Sequence, residues 1–171
     1  MITVVGHADL KPESLALVER KLRQALDRLP EGPEGAVGLV RAGAGAGLAF
    51  GRAMVGAGRA LIAVLPARDG LMTPLPRSDA DAARELLRVC LCARLEAFDP
   101  AERSSRITAD EQLVAECDRV LAVWDGSSTD GCDATAHLVA YARARGIPVE
   151  IVWPRGAARR RARPVTSAAA R

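Results

Sequence analysis

The feature that most constrains this chain is its alternation between two hydrophobic periods. Short apolar runs such as Ile2-Thr3-Val4-Val5 and Val149 to Val152 give way to stretches with apolar residues three and four apart. A period of two suits a strand and a period near 3.6 suits a helix. The strand-like runs are 2–5, 36–40, 60–65, 119–124 and 149–152. The helix-like stretches are 11–29, 48–57, 79–98, a short one from Thr108 to about Cys117 opened by a Thr108/Glu111 capping box, and 135–145. Strands that alternate with helices build βαβ units around a parallel sheet. The sequence therefore predicts an α/β, Rossmann-like three-layer sandwich with a mostly parallel sheet of about five strands.

The chain has 171 residues, the size of one domain, and buries about two-thirds of its unfolded surface. Aromatics are only 3% of the sequence, so Ala, Val, Leu and Ile must build the core. Lys and Arg total 24 and Asp and Glu 21, but six of the arginines fall in 155–171, where no acid occurs. The remainder is thus slightly acidic. We expect one nucleotide-binding domain over 1–154 and a basic, disordered tail over 155–171. The stretch from Pro30 to Gly35 reads as a loop. The four cysteines form no CxxC pair and His occurs twice, which argues against a metal site, so we expect none. They read as buried thiols of a cytoplasmic protein. Met1 leads directly into a strand and no apolar run reaches 18 residues, so the expectation is no signal peptide and no membrane partner.

In an open α/β sheet, ligands bind beyond the carboxyl ends of the strands. Four loops lie there. Gly43, Ala44, Gly45, Ala46 and Gly47 precede a helix, where small residues let a backbone approach an anion and free N–H groups receive it. The spacing is neither a P-loop nor a full GxGxxG. The loop after Trp124 carries Asp125, Gly126, Ser127, Ser128, Asp133 and Thr135, donors and acceptors suited to phosphate and ribose as well as to helix capping. Gly6 and His7 follow the first strand, with His7 placed for a phosphate contact, acid–base work or simple packing. Pro66 and Arg68 follow the third, with Arg68 available to an anion.

Three segments, VVGHADL, VRAGAGAGLAFGRAMVGAGRALIAVLP and DRVLAVWDGSSTDGCDATAHLVAYARARGIPVEIVWP, together resemble the SLOG superfamily. Its members include LOG-type phosphoribohydrolases and the DprA- and YpsA-like Rossmann proteins. The resemblance implies a nucleotide-derived ligand over the glycine loop. Asp133, Ala134 and Thr135 stand where the family often has Gly-Gly-Thr. The phosphoribohydrolase signature places a catalytic Glu three residues after that Thr, and here the position is Leu138. The sequence also resembles nucleoside deoxyribosyltransferases, whose nucleophilic Glu falls on the same leucine.

The expectation is a nucleotide-binding or sensing protein without a catalytic Glu, with no cofactor beyond the nucleotide itself. The alternative is a nucleoside-monophosphate N-glycosidase using an Asp carboxylate, with Asp125 and Asp133 as catalytic candidates. An acidic body with few stacking aromatics argues against nucleic acid as a partner. The stretch 79–98, apolar on more than one face, predicts a homodimer.

Overall fold

A computed structural model describes residues 1–29, 36–130 and 132–160. The loop read over 30–35 and the tail beyond 160 lie outside the described residues.

The elements run β1 (Ile2–Gly6), α1 (Pro12–Asp27), β2 (Gly38–Arg41), α2 (Ala46–Gly56), β3 (Leu61–Arg68), β4 (Leu71–Met72), α3 (Arg77–Val89), β5 (Cys92–Ala97), α4 (Arg103–Ala115), β6 (Arg119–Val123), α5 (Thr135–Ala144) and β7 (Val149–Ile151). The α/β reading holds. Neighbouring strands run β5-β3-β2-β1-β6-β7, every pair parallel, and β4 folds back antiparallel on the end of β3. Helices cover both faces. α1, α2 and α3 share one apolar cluster around Leu22, Phe50, Met54 and Leu86. On the other face α5 packs through Leu138 and Val139, and α4 through Ala109 and Leu113. Phe50 is fully buried, and most of the remaining core is aliphatic, as the scarcity of aromatics requires.

The chain leaves β1 toward β2 and β3, then returns to place β6 on the other side of β1. Loops leaving β1 and β6 therefore diverge, which opens a crevice at the carboxyl edge between them.

The stretch 79–98 is not one helix. α3 ends at Val89, and 92–97 form β5 in parallel register with β3, Leu65 opposite Leu95. Cys-Ala-Arg-Leu-Glu-Ala is acceptable to a helix locally, and pairing with β3 overrides that preference. With β5 and the two-residue β4 added, the sheet has seven strands where about five were expected. The Thr108/Glu111 capping box is absent because α4 already begins at Arg103. Pro66 and Arg68 lie inside β3 rather than in a loop. The cysteines are not uniformly buried: Cys117 is, Cys90 is partly so, and Cys92 and Cys132 are exposed. Burial pushes the Cys117 thiol up to about 12.

Candidate ligand-binding site at the sheet edge

β1 closes on Gly6, where there is no room for a side chain. A Cβ there would lie 2.7 Å from both the Cβ and the carbonyl oxygen of Val123 and 2.8 Å from Ala46 Cβ. This close approach brings β1, β6 and the start of α2 together, and the next residue, His7, is fully buried. Its Nδ1 lies 2.5 Å from Asp133 Oδ2 and its Nε2 3.0 Å from Asp125 Oδ1. An edge contact with Trp153, ring centroids 5.6 Å apart, fixes the ring plane.

Asp133 also accepts the Thr135 N–H at 2.7 Å, at the start of α5. Burial opposes ionisation of Asp133, but the hydrogen bonds from His7 and Thr135 outweigh it and hold the carboxyl well below the usual range. An ionised Asp133 only accepts, so His7 Nδ1–H donates. At Nε2 the neutral ring accepts the Asp125 N–H at 3.2 Å, and the charged ring donates to the Asp125 carboxylate. Asp125 is likewise lowered: burial raises it, and hydrogen bonds from Ser127 and the nearby His7 more than reverse this.

A cation from the far end of the chain completes the cluster. The Arg159 Nε donates to Asp9 at 2.9 Å, its Nη2 lies 3.2 Å from Asp133, and its Nη1 donates to Ser127 Oγ at 3.2 Å. Backbone bonds from Lys11 N–H to Ala158 O and from Arg160 N–H to Asp9 O hold this segment against the loop after β1. The buried Ser14 hydroxyl accepts the Ala158 N–H. Residues 155–160 thus pack against the loop after β1 and the start of α1. His7, Asp9 and Asp133 bring ligand atoms within 4.8 Å of one another, a donor set of the kind that holds metals. The Arg159 guanidinium sits among these same carboxylates and supplies the positive charge they require.

Beside this cluster opens a cavity of about 680 Å³. The glycine loop lines it through Ala44 and Gly45, and the start of α5 through Asp133, Ala134 and Thr135. Gly45 has φ 66°, and a Cβ there would meet His7 O at 2.4 Å, so only glycine fits. The Ala46 N–H donates to His7 O, which ties the glycine loop to the His7 loop. Four arginines reach the cavity: Arg41, Arg103, Arg106 and Arg160. Arg41 grips Asp110 through two bonds of 2.6 and 3.2 Å, and the Asp110 charge keeps its guanidinium firmly protonated. Asp79, from the first turn of α3, accepts the Ala44 N–H at 3.0 Å. A carboxylate therefore already sits on the glycine loop, where the dipole of α2 favours negative charge.

The structure brings together Gly6, Ala44, Gly45, Asp133 and Thr135 around the cavity. His7, Asp125 and Ser127 stand just behind as its supporting cluster. Gly43 lies in the loop, and Ala46 and Gly47 open the first turn of α2 rather than preceding the helix. Gly126 and Ser128 are exposed. Pro66 and Arg68 are not brought to the cavity: Pro66 is buried in β3, and the exposed Arg68 faces Asp99 at 3.7 Å. Sequence reasoning missed Arg41, Asp79, Arg103, Arg106, Asp110, Arg159 and Arg160. Arg41 alone had a signal, its place at the end of a strand.

Solved structures share this architecture. The molybdenum cofactor carrier protein of Chlamydomonas reinhardtii superposes with a TM-score of 0.50 at 23% identity, over 88% of this chain and 74% of that one. DNA processing protein A from Helicobacter pylori superposes at 0.60 and 16% identity, over 88% of this chain and 63% of that one. The structure of TM1055 gives 0.52 at 17%, over 86% of this chain and 71% of that one. The chain shares the fold of these proteins. No family model matches its sequence, and none of the curated proteins does. The shared fold also corrects one expectation. The Helicobacter protein is described by its single-stranded DNA binding mode, so an acidic body with few aromatics is no ground for setting nucleic acid aside. The composition argument averages charge over the chain and takes no account of local groups such as the four arginines and four aspartates that line one cavity. Among the described residues, no helix is long and apolar enough to cross a membrane.

Proposed function

We propose that this chain binds a phosphorylated small molecule of the nucleotide class, without turning it over, in the cavity between the loops after β1, β2 and β6. One observation carries the reading: a single cavity joins the glycine loop to the start of α5 and is lined by four arginines. Its volume, about 680 Å³, is in the range of small-molecule sites. Guanidinium groups are the donors that phosphate selects. The C. reinhardtii neighbour, a cofactor carrier, holds a small molecule on the same architecture.

The lack of turnover rests on the carboxylates. Asp9 is held by Arg159, Asp79 by the Ala44 N–H, Asp110 by Arg41, and Asp133 by His7, Thr135 and Arg159. An N-glycosidase needs a carboxylate aimed at the anomeric carbon. Each of these is already committed to a protein partner, and Leu138 stands where the resembling enzymes carry their Glu.

Calorimetry with nucleoside monophosphates, the matching nucleosides, inorganic phosphate and a short single-stranded DNA tests the reading, with chromatography of the recovered ligand for free base. A monophosphate is expected to bind and be recovered intact. The nucleoside lacking its phosphate is expected to bind at least tenfold more weakly. Equal affinity for both, or release of base, would overturn the proposal.

A further inference from the structure

The apolar surplus that the sequence places in a long helix lies instead around a strand edge. Leu87, Val89, Leu91 and Leu95 are exposed by 38, 45, 72 and 46%, four of the nine large apolar side chains on the described surface. β5 is the outermost of the long strands, and among the described residues nothing pairs with its free side. It has six residues and no proline. The opposite edge, β7, is three residues long and stands between Pro148 and Pro154, the usual protection of an edge. We propose that two copies of this chain pair antiparallel along β5, about a twofold axis at Leu95.

The register follows from hydrogen bonding and charge. The Leu91 N–H donates to Leu61 O at 2.7 Å. Alternate residues of a strand face the same way, so 93 and 95 also turn toward β3, and Cys92, Arg94 and Glu96 present their N–H and C=O groups outward. A twofold pairing must use these outward residues. Centred on Arg94 it sets arginine against arginine, and centred on Glu96 it sets glutamate against glutamate. Centred on Ala93 it opposes Arg94 to Cys92 and leaves Glu96 beyond the paired strand. Centred on Leu95 it sets Arg94 opposite Glu96 of the second copy, twice, in hydrogen-bonded pairs. Like charges directly opposite one another destabilise a ladder and unlike charges support it. Leu95 then meets its own copy at a non-hydrogen-bonded position, where side chains approach most closely. Within its own chain Arg94 already bonds Glu116 and Glu96, so the pairing adds the second copy's charges to an existing cluster rather than filling an empty one.

Sedimentation equilibrium of the full chain at micromolar concentration tests the proposal, with Glu96→Pro as the variant. The Glu96 N–H faces outward, so proline there removes an intermolecular donor and leaves the bonds to β3 in place. The wild type is expected at twice the chain mass and Glu96→Pro at the chain mass, with circular dichroism unchanged. A monomeric wild type, or a Glu96→Pro dimer, would refute the pairing. Should Glu96→Pro fail to fold, Leu95→Cys in a chain with Cys92 and Cys132 replaced by Ser decides. Mild oxidation must then give a covalent dimer, and its absence refutes the twofold axis at Leu95.

Discussion

His7 is the residue on which the site's geometry turns. It is fully buried and bonded at both ring nitrogens, so its loss takes a hydrogen bond from Asp133 and one from Asp125 and empties a buried side-chain site. A hydrogen bond to a charged group contributes about 1.5–3 kcal/mol. His7→Ala is therefore expected to lower the urea midpoint strongly, and an unchanged midpoint would contradict this account. Asp133 gives the matching pH dependence. Its folded-state carboxyl lies below its unfolded value, so its contribution is complete above about pH 4 and is lost as the pH falls toward the lower folded value. Asp133→Asn keeps an acceptor for the Thr135 N–H but loses the charge facing His7 and Arg159. The variant is expected to be less stable at pH 7 and to lose less on acidification from pH 4 to 2, as read by urea denaturation across that range. Parallel pH profiles for the two proteins would mean that Asp133 is not held ionised by these contacts.

At the scale of elements, the glycine loop separates two reasons for glycine that a sequence shows identically. Gly45 and Gly126 both have positive φ, 66° and 90°. At Gly126 a Cβ meets nothing within 4 Å, so alanine there costs the conformational strain alone, about 1 kcal/mol. At Gly45 the same change drives a methyl into the His7 and Ala8 carbonyls, at 2.4 and 2.5 Å, and pushes apart the two loops that frame the cavity. Gly45→Ala is thus expected to lower the melting temperature several degrees more than Gly126→Ala and to abolish monophosphate binding, which Gly126→Ala retains. Similar melting shifts in the two variants would show that the contact between the loops is not what fixes this edge. Much of this edge was legible in the sequence. Small residues before a helix and a polar loop after a strand are local signals, and both loops do border the cavity. The boundary of α3 was not legible. Leu86 to Ala97 satisfies a helical pattern on its own, and only the presence of β3 beside 92–97 turns it into a strand.

For the whole molecule, the decisive contacts join residues more than a hundred positions apart, which is why local pattern could not reveal them. Arg159 reads as one of a run of tail arginines, and its distinction lies entirely in where the chain returns after β7. That return has a physical cause. Val152 continues the line of β7 with its N–H on Ala122 O, Trp153 packs on His7, and the segment then crosses the start of α1, where Ser14 and Lys11 bond Ala158. Residues 152–160 thereby act as a strap from the sheet edge over the first loop. It delivers Arg159 to the carboxylates and Arg160 to the cavity. A chain ended after Pro154 removes the strap and leaves Asp9 and Asp133 without their cation. Arg159→Met removes the cation and keeps the strap. Arg159→Met is expected to destabilise the fold by about 1–3 kcal/mol, because it leaves partly buried carboxylates without their cation, and the truncation by more, because it also loses the bonds of Ala158 and Arg160 to Lys11, Ser14 and Asp9. They are expected to differ in binding as well. The truncation also loses Arg160 from the cavity wall, so its affinity for a monophosphate is expected to fall further than that of Arg159→Met. Urea denaturation and calorimetry on the two proteins separate these effects. Equal affinities would remove Arg160 from the site, and an unchanged stability in Arg159→Met would show that the carboxylate cluster does not depend on it.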